Sequence, residues 1–94
     1  MFIITLSYKV DLDVVDSHMD AHVAWIKAGL ADGWLLIAGR QVPRTGRILI
    51  ARGERTEIEA MAATDPFVTQ GVADFTVTEF NPSFVAPGLE SLKP

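Results

Sequence analysis

Cysteine is absent from the 94 residues, and with it go disulfides, thiolate metal sites and thiol nucleophiles. That absence fits a cytoplasmic setting. Basic residues are few: eight Lys and Arg against twelve Asp and Glu give a net charge of −4. The eight are scattered along the chain, so the electrostatic footprint of a nucleic-acid binder is missing. Long apolar runs are missing as well. The longest, Trp34 to Ala38, falls far short of the roughly 20 residues that span a bilayer. The opening MFIITLSYKV alternates where a signal peptide would carry a basic segment and then run apolar. The length leaves no room for a second domain. What the chain has in excess is hydrophobicity: 49% apolar residues is high for a fold whose surface fraction is large, and implies a partner surface.

The alternation of Phe2, Ile4, Leu6 and Tyr8 with Ile3, Thr5 and Ser7 predicts a first strand. Asp11 and Asp13 both suit the N-cap of a following helix, which runs to about Ala31 and ends on Gly33 as a left-handed cap. At 100° per residue Val15, Met19, Val23, Ile26 and Leu30 make its apolar stripe, opposite Asp16, Asp20 and Lys27. Trp34 to Arg40 is apolar on both faces and too short for a helix, so it reads as a buried strand. Gln41 to Gly46 is a turn and Arg47 to Arg52 the second arm of a hairpin. Thr56 and Glu59 fit a capping box opening a second helix, with Ile58, Met61 and Ala62 inward. Asp65-Pro66 is a restart, Asp as N-cap and Pro at the first helical position, closed by Gly71. Phe75 to Phe80 alternates and is the last strand.

The order β-α-β-β-α-β predicts an α+β, ferredoxin-like fold: an antiparallel sheet with its helices on one face. One domain covers residues 1–81, and the Pro-containing tail 82–94 is expected to be extended or partly disordered. The central hairpin carries large side chains on both faces and the helices cover only one. We therefore expect a homodimer whose two sheets pack face to face.

His22 lies within the apolar stripe, next to the edge held by Trp25, where an imidazole must find a hydrogen-bond partner or stay neutral. A core histidine satisfied by a carbonyl and a catalytic one are equally compatible with the pattern. His18, one turn earlier, gives a His-x-x-x-His spacing, but no third ligand of recognisable spacing accompanies it, and we expect no metal. Asp65 is first of all an N-cap. Capping also makes it rigid, with a second oxygen left to accept from an imidazole.

Three motifs in order, Ala21-His22-Val23-Ala24-Trp25-Ile26, then Gly33-x-x-Leu36-x-Ala38-Gly39, then Asp65-Pro66-Phe67-x-x-x-Gly71, resemble the YCII-related family of the dimeric α+β barrel superfamily. The resemblance runs from the first strand to the last. It implies a His–Asp dyad made of His22 and Asp65, a small-molecule ligand and no cofactor. It also implies relatives that act as isomerases or as dehydrochlorinases on chlorinated hydroxyquinols. Members often carry Arg three residues before the His, where this chain has Met19, and often end the second strand on Gly-Pro, where this chain has Gly39-Arg40. The expected function is proton transfer by His22 on a small organic substrate, as a lyase or isomerase. Arg40, less so Arg44 or Arg47, would stabilise developing negative charge, and Tyr8 and Trp25 are further candidates for substrate contact. The alternative is a non-catalytic metabolite-binding or dimerisation module in which the same pair is a buried clamp.

Overall fold

In a computed structural model of the chain, describing residues 1–94, the alternating opening becomes strand β1 (Phe2–Tyr8), with Phe2, Ile4 and Leu6 buried on one face. Helices α1 (Leu12–Ser17) and α2 (Met19–Asp32), the hairpin β2 (Leu35–Arg40) and β3 (Gly46–Ala51), helices α3 (Arg55–Ala62) and α4 (Pro66–Thr69) and strand β4 (Ala73–Glu79) follow. Every neighbouring pair is antiparallel and the strand order is β2-β3-β1-β4. This is the expected ferredoxin-like α+β arrangement. The tail carries a turn at Pro87–Gly88 and a 3₁₀ turn at Glu90–Leu92 and is otherwise without regular structure. No helix is long and apolar enough to cross a membrane.

Register decides which residues share a face, because partners directly opposite point the same way. Ile4 lies opposite Leu49 and Val77, and Leu6 opposite Arg47 and Phe75. Phe2, Ile4, Leu6, Leu35, Leu49 and Ala51 pack beneath Val15, Ile58, Ala62 and Phe67 to form the core. The other face carries Ile3, Ile48, Ile50 and Ile37, the last 61% exposed. Gly46 allows β3 to reach β1: a Cβ there would stand 1.8 Å from the Leu6 carbonyl oxygen.

The first helix departs from the expected single rod. The Ser17 hydroxyl donates to the Val14 carbonyl at 2.6 Å, the acceptor that His18 N–H would use in a continuous helix, and His18 N–H turns to Val15 O at 3.0 Å. The chain breaks at His18 (φ −109°, ψ 6°) and restarts as α2. Such back-bonding by serine bends helices. The buried stripe of α2 is also rotated from the expected one. His22 and Gly29 are buried, whereas Leu30 is 44% exposed. Gly29 is the reason: a Cβ there would lie 2.9 Å from Trp34 Cζ2 and 3.2 Å from Leu35 Cβ, so the helix seats against β2 through a glycine.

Caps differ in detail. Gly33 closes α2 in the left-handed region (φ 86°), as expected, with its N–H on Gly29 O. Asp11 occupies the N-cap position of α1 without a side-chain cap bond, and Asp13 accepts only from the adjacent Val14 N–H. The capping box does not form. Helix α3 begins at Arg55 with Glu54 as N-cap, and Glu59 pairs with Arg55 one turn back at 2.8 Å, an i,i+4 contact that takes the carboxylate away from the cap.

Candidate functional site

Asp65 is built into place by the end of α3 and the start of α4. Its backbone N–H donates to Ala62 O at 3.2 Å and its Oδ1 accepts from Phe67 N–H at 3.0 Å, capping α4 with Pro66 at the first position. The same Oδ1 meets His22 Nδ1 at 2.8 Å, so cap and clasp share one oxygen, whereas the sequence suggested one oxygen for each. A carboxylate only accepts, so the proton of this bond sits on Nδ1. In the neutral ring that leaves Nε2 a bare lone pair.

The pair is buried, His22 at 0% and Asp65 at 1% exposure. Phe67 lies flat on the imidazole, centroids 4.0 Å apart and planes within 3°. Neither His22 Nε2 nor Asp65 Oδ2 has a protein hydrogen-bond partner, and neither reaches solvent. The two cavities of the molecule lie elsewhere. One, of about 810 Å³, is bounded by Met1, Arg55, Phe80 and the tail. The other, of about 450 Å³, lies between Trp34, Gly53, Ile58 and Met61.

Around the ring the other candidates separate. Trp25 Nε1–H donates to Thr64 Oγ1 at 3.0 Å, so its indole ties α2 to the α3–α4 corner. Tyr8 meets Phe67 edge-on at 5.8 Å, and its hydroxyl is buried without a partner. Arg47 is half-buried on the helix-covered face of β3. Its Nη1 approaches Met19 Sδ at 4.0 Å and its Nε is buried and unpartnered. Arg40 stands directly across from Arg47 and is exposed. Arg44, in the hairpin turn, pairs with Asp16 of α1. The hydrogen bond from that guanidinium holds the Asp16 carboxyl below its ordinary range, and Asp16 first, then Tyr8, raises Arg44. His18 sits at the helix break, and nowhere do three or more His, Asp or Glu side chains converge as a metal site.

A family model described as the YCII-related domain matches residues 1–81. The chain belongs to the YCII-related family. No curated protein matches it. Among solved structures it is similar to the 5-chloro-2-hydroxyhydroquinone dehydrochlorinase of Burkholderia phenoliruptrix AC1100, determined in complex with 2,5-dihydroxybenzoquinone. The TM-score is 0.70 at 19% identity, over 86% of this chain and 94% of that one. The shared property at that identity is the fold.

Two features of this family member's site escaped the reading of its sequence. Phe67 was visible in the Asp-Pro-Phe motif but not as the ring stacked on His22, because stacking depends on α4 crossing α2. The Asp16–Arg44 bridge links residues far apart in sequence, and no local pattern announces it.

Proposed function

We propose that this chain is a small-molecule enzyme in which His22 moves a proton and Asp65 positions it. The observation that carries the reading is the 2.8 Å bond from Nδ1–H to Asp65 Oδ1, which fixes the tautomer and leaves Nε2 as the basic nitrogen. When Nε2 takes a proton from substrate, the adjacent carboxylate stabilises the imidazolium that forms. Returned to a different carbon, the proton gives an isomerisation. If instead the electron pair left behind expels a group from the neighbouring carbon, as chloride, the net change is loss of HCl. The neighbour's dehydrochlorinase activity and its quinone ligand support a ring substrate of this kind.

Because the ring is inaccessible from solvent, a substrate reaches Nε2 only when side chains over it move. The Asp16–Arg44 bridge joins α1 to the hairpin turn beside Tyr8, which itself packs on Phe67, so we infer that its release loosens the cover over the ring. The assembly we infer is a cytoplasmic homodimer through the open sheet face, where Ile3, Ile37, Ile48 and Ile50 await cover.

The complete burial of His22 favours a second reading, in which the pair is a structural clamp holding α2 to α4. Turnover separates them. Chloride release or double-bond migration is followed on small ring substrates, beginning with 5-chloro-2-hydroxyhydroquinone, for the wild type, His22→Asn and Asp65→Asn. Loss of about 10²–10⁴ in kcat for His22→Asn with the fold intact supports the enzyme. Equal rates, or an inactive parent whose variant unfolds, support the clamp.

A further inference from the structure

Cations in this protein divide by what answers them. Lys9 pairs with Asp74, Arg44 with Asp16, and Arg55 with Glu59 and Glu79. Lys27, Arg40, Arg52 and Lys93 are exposed to water. Arg47 alone combines a donor withdrawn from solvent with no carboxylate within reach, although the chain has an excess of acids. A buried charged donor left unsatisfied is costly, and a native protein keeps one where something else uses it.

The surroundings of Arg47 sharpen the case. Arg40 is its direct cross-strand partner on the same face, and like charges so placed repel. Tyr8 is its diagonal neighbour on β1, since Leu6 lies opposite Arg47 and Ser7 opposite Gly46. Such diagonals are about 7–8 Å apart, within reach of long side chains. The Tyr8 hydroxyl is also buried and unpartnered. Two guanidiniums and a phenol therefore share one end of one sheet face, and the nearest acid, Asp16, is already taken by Arg44, which stands beside Tyr8. Two of the three lie one side chain from the dyad: Arg47 touches Met19, a turn before His22, and Tyr8 touches Phe67, which lies on the imidazole.

We propose that Arg47, Arg40 and the Tyr8 hydroxyl form a seat for the carboxylate of a small planar acid, placing its ring toward His22. The guanidinium fork matches a carboxylate's two oxygens, and a second cation beside it favours an anion over a neutral group. This deepens the proton-transfer reading by naming a substrate class, and rests on that reading only for what happens to the ring afterwards. The seat itself binds whether or not the dyad is catalytic.

The test is calorimetric titration of the protein with benzoate and, as its neutral counterpart, benzamide. Benzoate is expected to bind and benzamide not. Arg47→Gln should weaken benzoate by at least about tenfold and Arg40→Gln by less, with Arg47→Lys recovering part of the loss. Thermal unfolding provides the control: removal of an unanswered, repelled charge should leave the melting temperature of Arg47→Gln unchanged or raised. Benzoate affinity equal in the wild type and both glutamine variants, equal binding of benzamide, or no benzoate binding by a folded wild type overturns the proposal. A dyad variant that lacks turnover yet still binds benzoate leaves the seat standing and removes only the catalytic reading.

Discussion

At the scale of single residues, Asp65 makes an unusually clean experiment available. One oxygen serves both Phe67 N–H and His22 Nδ1–H, and the other has no partner. An Asn in its place keeps the shared oxygen and replaces the idle one with an amide. Asp65→Asn should therefore cost no more than about 1 kcal/mol by chemical denaturation, whereas Asp65→Ala loses the cap and strands Nδ1–H, for about 2–4 kcal/mol together. A stability loss for Asn matching that for Ala would show that charge holds the pair together. The pairing of His22 with Asp65 is what the family resemblance implies; capping and helix periodicity are local and place each residue on its own element, not the two together. The ring's withdrawal from water was legible in the apolar stripe, but its complete enclosure was not. That depends on Phe67 and on how α2 rolls about its axis, both set by long-range packing.

Elements were legible wherever one strong local rule decided them. β1 alternates without interruption, Gly33 ends α2 and Asp65-Pro66 opens α4, and all three are where the sequence puts them. Structure and sequence pattern part where two local interactions compete for one group: Ser17 against His18 for the Val14 carbonyl, and Arg55 against the helix cap for Glu59. Gly46 supplies a prediction at this scale. Gly46→Ala drives a methyl into the Leu6 carbonyl, which lies in a paired strand and cannot yield cheaply. We expect destabilisation of about 3 kcal/mol or more, the upper end of overpacking, visible as a large fall in melting temperature. The bridge from α1 to the hairpin is predicted to be acid-sensitive. Asp16 has its pKa lowered in the fold, so its contribution is present above the unfolded value near 3.8 and is lost as pH falls through the lower, folded value. NMR titration of the Asp16 carboxyl should give a midpoint below 3.8 in the wild type and a return toward it in Arg44→Gln. Identical midpoints would mean that the bridge does not persist in solution.

For the whole molecule, hydrophobic content and burial do not match within one chain. Nearly half the residues are apolar, yet only 16 of 94 are buried, and isoleucines line the open sheet face. Pairing two such faces would bury what the single fold leaves in water. Light scattering at micromolar concentration should give twice the 10.3 kDa chain mass, and Ile48→Lys, which plants a charge at the centre of that face, should give the single mass without loss of helix content. A wild type of single mass would remove the two-sheet assembly while leaving the dyad as it is. Proton transfer by His22 requires a bare Nε2 open to ligand while Nδ1–H stays on Asp65. The most direct measurement of that state is nitrogen-15 NMR of histidine-labelled protein titrated with 2,5-dihydroxybenzoquinone, the ligand seen in the structural neighbour. The account predicts a Nδ1–H tautomer in the free protein and a ligand-dependent shift confined to His22 Nε2. A proton resident on Nε2, or a His22 signal that does not move at saturation, would contradict it.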